Sequence, residues 1–141
     1  VKDFPVELGA FMLENRVSLT QVGEFLGENF SLSQTLRLEY VNSMRLVGTG
    51  VVTCLSRVFK RFHVPSDLHK INRLVDGIAQ IWWRQHEQIK DSLEAQLEDK
   101  REAEKSVEVG GLRLLAQLSG YDTLHQLMLS TVLLHWNLNA P

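Results

Sequence analysis

Leu68, Ile71, Val75, Ile78 and Trp82 recur at steps of three and four, with polar residues between them. At 3.6 residues per turn that spacing gathers them on one helical face, which must be buried. Elsewhere nothing alternates with a period of two for long enough to make a strand, so the predicted class is all-α. Three prolines in 141 residues leave long stretches open to helix.

The same periodicity organises the rest. Pro5 suits a first helical turn, with Leu8, Phe11 and Met12 on one face. Ser18-Leu19-Thr20-Gln21 reads as a capping box, followed by Leu19, Val22, Phe25 and Leu26 and a stop at Gly27. A third helix is predicted from Ser31 or Ser33 towards Gly48, carrying Leu36, Tyr40, Val41 and Met44. Val52, Leu55, Phe59 and Phe62 predict another, which Pro65 ends. Apolar spacing resumes with Leu112, Leu115 and Leu118, then Leu124, Leu127, Met128 and Leu134. Val107-Glu108-Val109 reads as a loop before Gly110-Gly111.

Residues 87–108 differ: eight acidic and four basic side chains give a local charge of −4, leaving +2 elsewhere. Ile89, Leu93 and Leu97 form a thin apolar stripe that then vanishes. Two readings stand: a solvated helix extension fading into a flexible linker, or a partner-binding coiled-coil seam. The stripe is shorter than the three to four heptads that a seam needs.

Hydrophobic content of 44% with 23% charge describes a soluble globular chain, and a net charge of −2 argues against a whole-surface nucleic-acid binder. Cys54, the lone cysteine, fits a core position in a reducing compartment. No apolar run approaches the ~18 residues of a membrane span, and no signal or lipidation motif is present. A start at Val1 rather than methionine is expected of a piece of a longer protein.

Small-molecule chemistry finds little support. His63, His69, His86, His125 and His135 match no metal-ligand spacing, and no phosphate loop, dinucleotide fingerprint or nucleophile elbow occurs. No metal or other cofactor is therefore expected. Arg57, Lys60, Arg61, His63, Lys70 and Arg73 form a basic cluster, read as solvated helix surface or as a face for an acidic protein partner. Nucleic acid ranks well behind, because Phe59 and Phe62 fall on the apolar face. Trp82 continues the core stripe, with Trp83 at its edge.

Three ordered segments resemble the Sec7 domain, the module that ejects GDP from Arf-type small GTPases. Leu19-Thr20-Gln21-Val22-Gly23-Glu24-Phe25-Leu26-Gly27 is similar to an early family segment ending (I/V)-G-E-(Y/F)-L-G. Phe62 to Arg73 is similar to the first signature, F-R-L-P-G-E-A-Q-K-I-D-R, keeping Phe62, Pro65, Lys70, Ile71 and Arg73. Met128 to Pro141 resembles the second, M-L-N-T-D-L-H-N-P, keeping Leu134, Leu138 and Pro141. The resemblance implies a right-handed superhelix of helices whose groove receives the GTPase switch regions. Within it, residues 1–86 run through the first signature, 87–111 form a charged insertion or linker, and 112–141 reach the second signature. The resemblance implies further helices after the second signature, so either this sequence ends early or the domain is expected to be truncated.

The departures fall where the resemblance implies chemistry. The family's glutamate acts near the β-phosphate and Mg²⁺ of the bound GTPase, and here it is Asp67. Its oxygens retract by roughly 1 Å, a misplacement that can cost about 10²-fold in rate. Ser66 replaces a glycine whose backbone freedom serine lacks, although its hydroxyl could cap the helix beginning at Asp67. His135, Trp136 and Asn137 replace the second signature's Asn, Thr and Asp, as docking residues or as ordinary core packing.

The resemblance thus implies a degenerate exchange-factor domain with weak or no exchange, Asp67 being its acidic finger. Phe62, His63, Pro65, Ser66, Lys70, Arg73, His135, Trp136, Asn137, Leu138 and Asn139 would meet the partner. That partner would be an Arf-family GTPase held weakly, or another protein. Two rivals are a slow but genuine exchange factor and an unrelated helical scaffold. The implied setting is cytoplasmic, peripheral on Golgi or secretory-vesicle membranes through regions outside this chain.

Overall fold

A computed structural model describes residues 19–139, with side chains from 21 to 135. The predicted helix around Pro5 to Met12 and the Ser18 capping position lie outside them. Seven helices and no strand occur among the described residues: α1 (Leu19–Leu26), α2 (Ser31–Asn42), α3 (Val51–Val58), α4 (Leu68–Ile89), α5 (Leu93–Ala103), α6 (Gly111–Gln117) and α7 (Tyr121–Asn139). The chain is all-α. None of these helices is long and apolar enough to cross a membrane.

The residues form two compact units, one of 19–45 with 57–78, the other of 46–56 with 79–139. In the first, α1 and α2 pack together, and Leu26, Leu36, Val41, Val58, Phe62, Leu74, Val75 and Ile78 are buried. In the second, Leu46, Val47, Cys54, Leu55, Ile81, Trp82, Leu115, Leu124 and Met128 are buried. Cys54 is a core residue.

Several predicted registers need correction. α2 stops at Asn42 rather than reaching Gly48, and Met44 is buried from the loop that follows. That loop turns at Gly48, whose φ of +84° is ordinary for glycine and costly for any other residue. α3 ends at Val58, with Arg61 N donating to Val58 O at 2.9 Å, so Phe62 is buried from a turn and not from a helix. Val52 and Leu68 are more than half exposed. Both sit in first turns, where a Cβ leaning towards the helix N-terminus has no preceding turn to cover it. On α7 the buried series is Leu124, Met128 and Val132, while Leu127 and Leu134 face outwards.

The charged stretch also departs from a fading extension of the long helix. α4 ends at Ile89, and Ser92 opens a separate helix, its Oγ accepting from Ala95 N at 3.3 Å. Leu93 and Leu97 are exposed, whereas Asp99 is buried. Its carboxylate accepts from Leu112 N, and α5 packs on α6. Residues 104–110 form the expected loop.

Candidate functional site

The first-signature segment lies wholly within the first unit, as the turn from α3 into α4. Its floor is aromatic. Phe62 is fully buried, edge-on to Phe59 at 5.5 Å and tilted against Tyr40 at 5.8 Å. Tyr40 Oη donates to Arg61 O at 3.2 Å, satisfying a carbonyl that no helix uses. Pro65 is buried just after, and its ring excludes helix at Val64.

The other wall is α1. A Cβ on Gly23 would collide with His63 O, so the turn reaches the helix only because residue 23 lacks one. Lys70 Nζ lies 2.6 Å from Glu24 Oε2 and 3.0 Å from Glu28 Oε1. These two bonds hold its ammonium proton more tightly than usual. Arg73 Nε donates to Gly27 O at 2.8 Å, and Arg37 donates to Leu26 O at 2.7 Å and Glu28 O at 3.3 Å. Two guanidiniums therefore close Leu26 O, the last carbonyl of α1, and the carbonyls of Gly27 and Glu28 just beyond it. Burial first, then the neighbouring Arg73, lowers the proton affinity of Arg37.

Asp67 stands immediately before α4. Its Oδ1 accepts from His69 N at 2.7 Å and from Lys70 N at 3.3 Å. These are the second and third amides of the helix, so Asp67, and not Ser66, is the N-cap. The two amide bonds, His69's first, hold the carboxyl below the usual carboxylate range. The side chain is exposed and ionised, but it is aimed at its own helix, whose positive end offsets its charge.

The other named positions divide accordingly. His63 and Ser66 are exposed on the turn, whereas Phe62 and Pro65 are buried beneath it. Lys70 and Arg73 are engaged with α1, and Arg57 of the basic cluster donates to Arg45 O at 2.6 Å. His135 is exposed near the end of α7 in the second unit. The side chains of Trp136, Asn137, Leu138 and Asn139 lie outside the described residues. No group of three or more His, Cys, Asp or Glu among the described residues is placed to hold a metal.

Gly23, Glu24, Glu28 and Tyr40 carry the turn, yet nothing in their spacing announced it. The available signal was the early family segment, which contains Gly23 and Glu24.

The family model of the Sec7 domain matches residues 1–141. The chain belongs to the Sec7 domain family. Curated relatives bear exchange-factor names. Brefeldin A-inhibited guanine nucleotide-exchange protein 1 of Homo sapiens is 33% identical over 76 residues, which are 53% of this chain and 4% of that protein. The Bos taurus protein of the same name matches equally. Brefeldin A-inhibited guanine nucleotide-exchange protein 3 of Arabidopsis thaliana is 28% identical over 81 residues, 57% of this chain and 5% of that protein. The chain thus spans a small part of these relatives' lengths. In this Sec7 domain, the early segment and the first signature are the two faces of one clamp, Gly23 to Glu28 against Phe62 to Arg73.

Proposed function

We propose that this is a degenerate Sec7 domain with weak or no nucleotide exchange on Arf-family GTPases. It serves as an interaction or structural module within a larger regulator of vesicle or secretory-granule traffic. Such a regulator would be cytoplasmic, peripheral on Golgi or secretory-vesicle membranes through regions outside this chain. The relatives' exchange-factor names support the general class of partner. His63, Ser66 and His135 are exposed positions for such a partner. Asp67 is the acidic finger.

The observation that carries weak exchange is the direction of the Asp67 carboxylate. Exchange by this kind of domain needs a negative charge delivered beside the nucleotide's phosphates and its metal, where it repels the first and competes for the second. Asp67 spends that charge on His69 N and Lys70 N. Projecting it into a partner would break both bonds and still leave it one methylene short. A glutamate at this position carries its carboxylate about 1 Å further out, past the amides of the first turn.

Release of fluorescent GDP from Arf-family GTPases tests this. The wild-type chain is expected to stimulate release little, and Asp67→Glu to raise it by about tenfold or more. Stimulation by wild type clearly above the spontaneous rate that Asp67→Asn abolishes would overturn the proposal. Asparagine still caps the helix, so that loss would report the charge alone. The chain would then be a slow but genuine exchange factor, a reading favoured by the exposure and ionised state of Asp67.

A further inference from the structure

In the second unit, His86 is fully buried on α4. Its Nδ1 lies 2.7 Å from Trp82 O, the carbonyl one turn earlier, and its Nε2 lies 3.1 Å from Gly48 N. A carbonyl only accepts and an amide N–H only donates, so this bonding assigns a neutral ring with its proton on Nδ1. The ring stacks on Trp82, centroids 3.9 Å apart and planes at 29°.

Asp99 of α5 brings Oδ1 to 3.5 Å from the same Nε2. With Nε2 unprotonated, the carboxylate faces a lone pair and gains nothing from it. It is held by Leu112 N at the start of α6, at 3.3 Å to Oδ1 and 3.1 Å to Oδ2. Of the other groups near this point, Glu102 has its Cβ against Gly48 and its carboxylate on Lys105 at 3.1 Å. The loop 46–50 (Leu46-Val47-Gly48-Thr49-Gly50) has no titratable side chain, and on α4 itself Trp82 and Gln85 are uncharged. Asp99 is the charged group that acts on the ring.

We infer that His86 is an acid-sensitive joint between α4 and the loop 46–50. A proton taken from solvent at Nε2 turns the acceptor of Gly48 N–H into a donor, which ends that bond and makes the Asp99 contact an ion pair. Two donors cannot share the 3.1 Å between Nε2 and Gly48 N, and Gly48 is buried, so its amide must move to find water. Asp99 rewards the same proton by Coulomb attraction in a poorly hydrated site.

Burial holds the ring's proton affinity down, against the opposing pull of Trp82 O and Asp99, so the joint is closed at neutral pH and opens on the acid side of 6.5. Opening is local. Leu46 N stays on Gln85 Oε1 at 2.8 Å, and Trp82 Nε1 stays on Thr49 O and Oγ1, each at 3.1 Å.

An NMR titration of the 141-residue chain, following the imidazole nitrogens and backbone amides, tests the joint. His86 should titrate below 6.5 with Nε2 gaining the proton, and the Gly48 amide shift should follow the same midpoint. Amide-exchange protection at Gly48 should fall about tenfold between pH 7 and 5 while Leu46 keeps its own. Asp99→Asn retains an oxygen for Leu112 N and should move the His86 midpoint further to acid. A Gly48 amide indifferent to His86, or protection lost together across the whole chain, would overturn the inference. So would an unmoved midpoint in folded Asp99→Asn. Should that variant not fold, the wild-type titration alone still decides.

Discussion

At the scale of single residues, Asp67 and Phe62 divide the turn from α3 into α4 into an exposed charge and a buried anchor. Asp67 holds two amides of α4, and asparagine is an equally good cap, so Asp67→Asn should unfold at nearly the wild-type temperature. Asp67→Ala, which leaves both amides to water, should lower Tm by a few degrees in a calorimetric scan. Equal Tm for all three would mean that the cap contributes nothing. Phe62→Ala empties a fully buried site and should cost about 3–5 kcal/mol in urea titration. The sequence singled out both residues, because an acid after a proline turn and an aromatic before it are local signals. It could not choose between Ser66 and Asp67 as the cap, since both are favoured there and the choice lies in one torsion.

At the scale of elements, periodicity located the helices well and their faces less well. Ile71, Val75, Ile78 and Trp82 are buried as their spacing requires, while Val52 and Leu68 fail at helix starts. What could not be read was how distant segments close each other's ends. Glu108, at the end of the charged stretch, accepts from Val52 N at 3.0 Å and Thr53 N at 2.7 Å. A carboxylate more than fifty residues away therefore caps α3, work usually done by the residue just before the helix. Glu108→Ala should cost about 1 kcal/mol and speed hydrogen exchange at those two amides first. Unchanged exchange there would show that α3 keeps its first turn without help. The clamp between α1 and α4 is the same kind of pairing, tightened by a missing side chain. Gly23→Ala sets a Cβ against His63 O and should destabilise by about 1–3 kcal/mol, measured by urea titration.

At the scale of the whole molecule, the two units divide at Arg45/Leu46 in the loop after α2 and twice inside helices, at Ser56/Arg57 in α3 and Ile78/Ala79 in α4. A boundary within a helix leaves no shift of composition, so it has no mark in the sequence. The pH dependence of stability sums over both units, and its sign follows from three groups. His86 binds a proton less readily folded than unfolded, so stability falls as pH drops below its ordinary 6.5. Asp67 is also held low, so its contribution is complete above 3.8 and is lost below that. Lys70 is held high, so its contribution persists below 10.5 and fades above it, as pH rises through the folded value. Maximal stability should therefore run from near neutral pH into the alkaline range, with the first decline below pH 6.5 belonging to His86. The urea midpoint should be lower at pH 5 than at pH 7.5 for wild type. In His86→Gln, whose amide oxygen can still accept from Gly48 N–H, that decline should be much reduced. An equal decline in both proteins would assign it to the carboxylates and remove His86 from the account.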